Sequence, residues 1–219
     1  YTLWHTLSLH DALPISDDSV ALAAAHAAGE GKAVRCGPGC GQCCNQLVAL
    51  AAPEMLHIVD CICALPLSRR RIIFERFESN EKVLSESGVG QALRRLDGSE
   101  GTDSIAQRYF HCGIPCPFLE NGSCSIHQFR PAMCREYNVL SDPALCSDPF
   151  SNDIEPLGIH RRMSKTLAGF GHHIAGISEG LIPFPFIFEW YDIHRELHTK
   201  SWPGEYLFEQ FLEFLQDNR

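Results

Sequence analysis

The sequence predicts a mainly helical domain built around an irregular, cysteine-rich centre that a metal organises. Two observations lead there. Apolar residues recur at a helical period through much of the chain, as at Ile72, Ile73, Phe77, Val83 and Leu84. The eleven cysteines, by contrast, bunch in stretches where glycine and proline leave little room for regular elements.

The first stretch to consider is 1–16. Thr6 to Ser16 resembles the in-frame translation of a sequencing-library adapter, so 1–16 is read as non-native and set aside from the fold reasoning. The remainder divides into a cysteine-cluster domain over 17–150 and a helical extension over 151–219 packed on it. An apolar fraction of 45% and a charged fraction of 21% are those of an ordinary globular chain able to bury a core. The formal net charge of −9 argues against a nucleic-acid partner, which calls for a basic surface. No run approaches the roughly 20 apolar residues of a membrane helix. The most apolar run, 181–190, is short and holds Pro183 and Pro185.

The elements follow in order. Residues 19–28 are alanine-rich and helical in character. Pro53 and Glu54 suit a first helical turn, and that helix stops before Pro66. Ser68 is a fitting N-cap for a helix over 69–87. Arg69, Arg70 and Arg71 at its start read as a solvated face, balanced by Glu75, Glu78 and Glu81. Short helices are expected over 91–96 and 104–110, with a loop over 97–101 between them. Asn121-Gly122 is a hairpin signal, with arms at 117–119 and 123–126. Helix returns over 156–177, 188–198 and 203–216.

Cysteine placement carries the functional reading. Cys36, Cys40, Cys43 and Cys44 fall within nine residues, and Cys112, Cys116, Cys124, Cys134 and Cys146 within thirty-five. Disulfide scaffolds are shorter and spread their cysteines through loops, so this bunching in a chain with its own core reads as metal ligation in a reducing cytoplasm. Zinc takes four ligands in a tetrahedron, and iron–sulfur clusters are commonly held by four thiolates. Cys36, Cys40 and Cys43 supply three from one glycine-rich loop. Neighbouring side chains tend to point apart, so Cys44 is assigned to a second ion or to the far side of a cluster. Cys116, Cys124, Cys134 and Cys146 add four more. Eight thiols suit two four-ligand sites, or one cluster plus one ion. Cys61 and Cys63 lie in an apolar helix and read as core. Cys112 is left open between ligand and bystander.

The spacing of Cys36, Cys40 and Cys43 also matches the cluster loop of radical S-adenosylmethionine enzymes, but the strand–helix alternation of that fold is not visible. A closer resemblance runs over 35–146. Cys36-Gly-Pro-Gly-Cys40-Gly-Gln-Cys43-Cys44, then Cys116-Pro117-Phe118-Leu119, Cys124-Ser-Ile126-His127 and Arg130-Pro131-Ala-Met-Cys134-Arg135, resembles the YkgJ family of zinc- or iron-chelating proteins. The resemblance implies a bacterial cytosolic protein, loosely described as an iron–sulfur oxidoreductase. A related branch includes a flagellin lysine methylase, which implies methyl transfer as a further alternative.

Other residues are weighed beside these. Arg130 and Arg135 flank Cys134 and are expected to donate hydrogen bonds to thiolates or to an anionic cluster; the plainer alternative is ion pairing with Glu136 or Glu120. His127 is placed in packing or an outer hydrogen bond, with ligation as the alternative. His194 and His198 have the spacing of a metal pair on a helix but no accompanying Glu, and read as two solvated histidines. The aromatic run of Phe184, Phe186, Phe188, Trp190 and Tyr191 reads as core, with a protein-partner strip as the alternative. The expectation is a metal-binding protein, iron–sulfur with a redox or electron-transfer role, the alternatives being a zinc-organised binding module and a protein lysine methylase.

Overall fold

The computed structural model describes residues 2–95, 101–177 and 181–217. It is mainly helical, as expected. The long helix α1 (Trp4–Gly29) packs on α2 (Ala52–Ala64), and also touches α6 (Ala132–Glu136), α7 (Met163–Ala175) and α9 (Gly204–Asp217). It begins inside the stretch set aside as adapter-derived, and Ala12 and Ser16 are buried.

The start of α2 has a clear local cause. Pro53 sits in its first turn, and the Glu54 carboxylate accepts the backbone N–H of Ala51 at 3.0 Å. Its end is fixed before Pro66, where Arg70 donates to the terminal carbonyls of Cys63 and Leu65. Helix α3 (Leu67–Glu86) begins earlier than the Ser68 cap implied: Pro66 occupies the N-cap position and Ser68 lies within the first turn. Arg71 pairs with Glu75 one turn on, at 2.8 Å, as expected of a solvated face. Arg69 instead reaches Glu120, which Arg76 also contacts at 3.0 Å.

Gly88, at φ 73°, makes the left-handed turn that starts α4 (Val89–Arg94). The loop expected over 97–101 lies largely outside the described residues. Helix α5 (Thr102–His111) follows, and with α4 it closes a small apolar cluster of Leu84, Val89, Leu93, Ile105, Tyr109 and Ile114.

Between α5 and α7 the backbone is irregular, as the prolines require. The Asn121-Gly122 hairpin is present, with both residues at positive φ and Leu119 opposite Cys124. Three elements were not foreseen here: a 3-10 turn at His127–Phe129, the five-residue helix α6 and a 3-10 turn at Pro143–Ser147. They are too short to show a period.

Two expected helices are shorter than their patterns. The span from Pro156 to Arg162 is irregular rather than helical, because Val139 and Pro156 form a bridge and Leu157 N–H is spent on the Asn138 carbonyl. Helix α8 (Ile187–Ile193) breaks at His194 and resumes as a 3-10 turn over Arg195–His198. The main apolar core draws on both sides of residue 150, from Leu50, Met55 and Phe118 to Phe170, Ile187 and Phe211. Phe184, Phe186 and Trp190 are buried in these cores, so these members of the aromatic run are packing residues. Among the described residues no helix is long and apolar enough to cross a membrane.

Candidate metal centre

The first thiols ride on a glycine-rich loop that ends in a 3-10 turn at Gln42–Asn45. Close approach explains Gly41: a Cβ there would stand 2.6 Å from Leu119 Cδ1 and 2.9 Å from the Gly122 carbonyl oxygen. The loop thus lies directly on the hairpin that carries Cys124. The Cys116 N–H donates to the Cys44 carbonyl at 2.7 Å, tying the downstream cysteines to the upstream turn. On the other side the 42–45 turn packs on the 143–147 turn that holds Cys146. Cys134 sits on α6, whose N-terminal Ala132 N–H donates to Glu54 at 2.7 Å.

Chain segments some ninety residues apart therefore converge. Cys36, Cys40, Cys43, Cys44, Cys116, Cys124 and Cys134 are half-buried by residue and Cys146 is buried. The neighbouring Cys44 side chain is the main cause holding the Cys43 thiol far above its ordinary range, and burial adds to it. Burial raises Cys36, Cys124, Cys134 and Cys146, and pushes Cys116 up to about 12. In the metal-free protein these six thiols keep their protons at neutral pH.

Several sulfurs have donors directed at them. Val139 N–H donates to Cys36 Sγ at 3.4 Å, and the backbone N–H groups of Phe118 and Ile126 offset part of the effect of burial on Cys116 and Cys124. Each favours thiolate over thiol. The Arg130 charge draws down the pKa of Cys36, Cys43 and Cys124, and its Nε is buried without a protein partner. Backbone N–H groups and one uncommitted guanidinium facing sulfur are the surroundings an anionic thiolate–metal centre needs, so these residues fit such a group. Among the described residues no three His, Cys, Asp or Glu side chains already stand close enough to grip one ion.

The two arginines part company. Arg135 spends its guanidinium on the Arg130 and Gln128 carbonyls and on Asp17 at 2.6 Å, and so braces the loop rather than the sulfurs. The ion-pairing alternatives do not form: Glu120 is taken by Arg69 and Arg76, and Glu136 accepts from the Ser164 N–H and hydroxyl. His127 is exposed on a 3-10 turn beside Arg130, whose charge lowers its pKa.

Cys112 turns toward Ser87 and the Arg108 carbonyl. Cys61 meets the His57 ring at 3.6 Å, while Cys63 is exposed rather than in the core. The C-terminal ring of the histidine pair is also not simply solvated: His198 Nε2 lies 2.8 Å from Asp60 and Nδ1 lies 2.8 Å from the Tyr191 hydroxyl. A groove of about 520 Å³ along α3 is lined by Leu67, Arg70, Arg71, Phe74, Glu75 and Glu78, with no thiol among them.

Sequence reasoning missed two contributors. Glu54 reads as an ordinary first-turn acid, yet it ties α2 to the helix carrying Cys134. Val139, the donor to Cys36, is 103 residues from it and carries no local signal. No family model, no curated protein and no solved structure matches this chain.

Proposed function

We propose that this chain is a metal-binding protein of the YkgJ kind, holding an iron–sulfur centre through Cys36, Cys40, Cys43, Cys44, Cys116, Cys124, Cys134 and Cys146, with a redox or electron-transfer role in a reducing cytoplasm. The observation that supports the reading is that the loop bearing the upstream cysteines lies on the hairpin carrying Cys124, packs on the turn holding Cys146 and is hydrogen-bonded to Cys116. Such a cluster, when bound, supplies a site that takes up and releases single electrons. The chain's own contribution is to exclude water, to supply thiolates, and to set the charge balance. Burial of the thiols does the first; the N–H groups of Val139, Phe118 and Ile126 with Arg130 do the last. More donors on sulfur stabilise the more negative, reduced state and raise the potential.

A zinc-organised binding module is the second reading. It is favoured by the segment 112–150, whose short elements gain from a metal cross-link. Absorption separates the two: an iron–sulfur centre gives a broad visible band with iron and sulfide in matching amounts, and zinc gives a colourless protein.

A further inference from the structure

We infer that the exposed face of α3 docks a second copy of this chain, the two α3 helices packing antiparallel about a two-fold axis near Phe74. The groove of about 520 Å³ runs along this face, away from the clustered thiols, and all six residues that line it belong to α3. They recur at intervals of three and four, which puts them on one side of the helix. The apolar members are Leu67 and Phe74, two turns apart. Leu67 is 78% exposed, more than the other exposed large apolar side chains among the described residues. Phe74 is half-buried and backed by Phe188, with ring centroids 4.4 Å apart, so the middle of the face has a firm apolar floor.

Charge selects the occupant. Arginines come first along α3, at 69, 70 and 71, and glutamates follow at 75, 78, 81 and 86, so the first turn holds no acid and the last no base. That order runs against the helix macrodipole, which favours acids at the start and bases at the end. Neighbours within the chain offset part of it. Arg69 and Arg76 meet Glu120, Arg70 donates to the Cys63 and Leu65 carbonyls, and Lys82 faces Glu86 at 4.0 Å. Arg71 is paired with Glu75 of its own helix, and both side chains are exposed. Glu78 is exposed and makes no ion pair among the described residues. An antiparallel copy of α3 presents the reverse order of charge. With Phe74 on the axis, Arg71 lies three residues before it and Glu78 four residues after it, so Arg71 of each copy comes opposite Glu78 of the other. Phe74 meets its own counterpart, the self-complementarity that a two-fold interface requires. A parallel copy would instead set Arg71 on Arg71 and Glu78 on Glu78.

Sedimentation of the full-length chain over a concentration series, in reducing buffer so that no intermolecular disulfide contributes, tests this. The expected result is a reversible shift from 24.4 kDa toward twice that mass, weakened by added salt. R71E and E78R change exposed side chains and leave the buried face of α3 intact. Each is expected to weaken self-association about 10-fold or more, because each sets like charges against one another across the axis. The two variants mixed in equal amounts are expected to associate again, since both pairs across the axis are then opposite in sign, and so is the double variant R71E/E78R. Far-UV circular dichroism confirms that helix content is kept. A chain that stays monomeric throughout the series, or a dimer that neither single reversal weakens, overturns the docking surface. Weakening in both single variants with no recovery in their mixture or in the double variant overturns the antiparallel arrangement.

Discussion

Glu54 at the start of α2 accepts a 2.7 Å hydrogen bond from the backbone N–H of Ala132, two residues before Cys134. The carboxylate also accepts from Ala51 at 3.0 Å, and it is almost completely buried. One side chain therefore joins the first helix after the upstream cysteines to the short helix holding a downstream one.

That position sets a pH dependence for the metal-free protein. Burial, the largest influence, raises the Glu54 carboxyl from its ordinary 4.5 to about 7. Between those values the folded chain holds a proton that the unfolded chain has lost. The stabilising contribution is complete below pH 4.5 and is lost as pH rises to about 7. The change is about 3 kcal/mol. Urea denaturation across this range should show it, and E54Q should flatten the slope. An unchanged slope in E54Q would reject the assignment.

Arg130 and Arg135 should separate by readout. R130M removes the charge that faces Cys36, Cys43 and Cys124, and it should weaken metal binding about 10- to 100-fold with little loss of fold. R135M removes donors to the Gln128 and Arg130 carbonyls and should cost about 3 kcal/mol of stability. Metal competition assays and denaturation on both variants decide it; equal effects on both readouts would refute the division.

Zinc binding should release protons. The buried thiols are held protonated in the metal-free chain, and ligation requires thiolate. Calorimetry in buffers of different ionisation enthalpy should give about one proton per thiol bound, and affinity should rise with pH. Binding independent of buffer and pH would contradict thiolate ligation.

Glycine substitutions should map the loop's seat on the hairpin. G41A places a Cβ 2.9 Å from the Gly122 carbonyl oxygen, a backbone atom that cannot step aside cheaply. It should cost about 1–3 kcal/mol and lower metal affinity. G37A meets nothing within 4 Å and serves as the control. Equal metal affinity in both variants would remove the loop-on-hairpin contact from the account.

Much of the fold was legible because its signals are local. Pro53, Pro66 and Asn121-Gly122 act on their own neighbours, and α2 and the hairpin stand where those residues imply. Some elements were too short to show a period; elsewhere long-range pairing overrode local pattern. The stretch from Pro156 is not helical because Pro156 bridges to Val139, Leu157 N–H donates to the Asn138 carbonyl, and the preceding Glu155 carbonyl accepts Leu140 N–H. His198 is held by Asp60, 138 residues away in sequence. At the candidate centre the cysteines were legible by bunching alone. The division of labour between the two flanking arginines was not, because Arg130 and Arg135 look alike until their partners are seen.

The central claim is that the clustered thiols hold metal. The direct test is metal and sulfide analysis, with an absorption spectrum, on the full-length chain purified without oxygen. The account predicts iron with matching sulfide and a broad visible band, or, on the second reading, stoichiometric zinc without colour. A folded, metal-free protein whose eight clustered thiols all react freely with an alkylating reagent, and that takes up neither iron nor zinc when supplied, would contradict it.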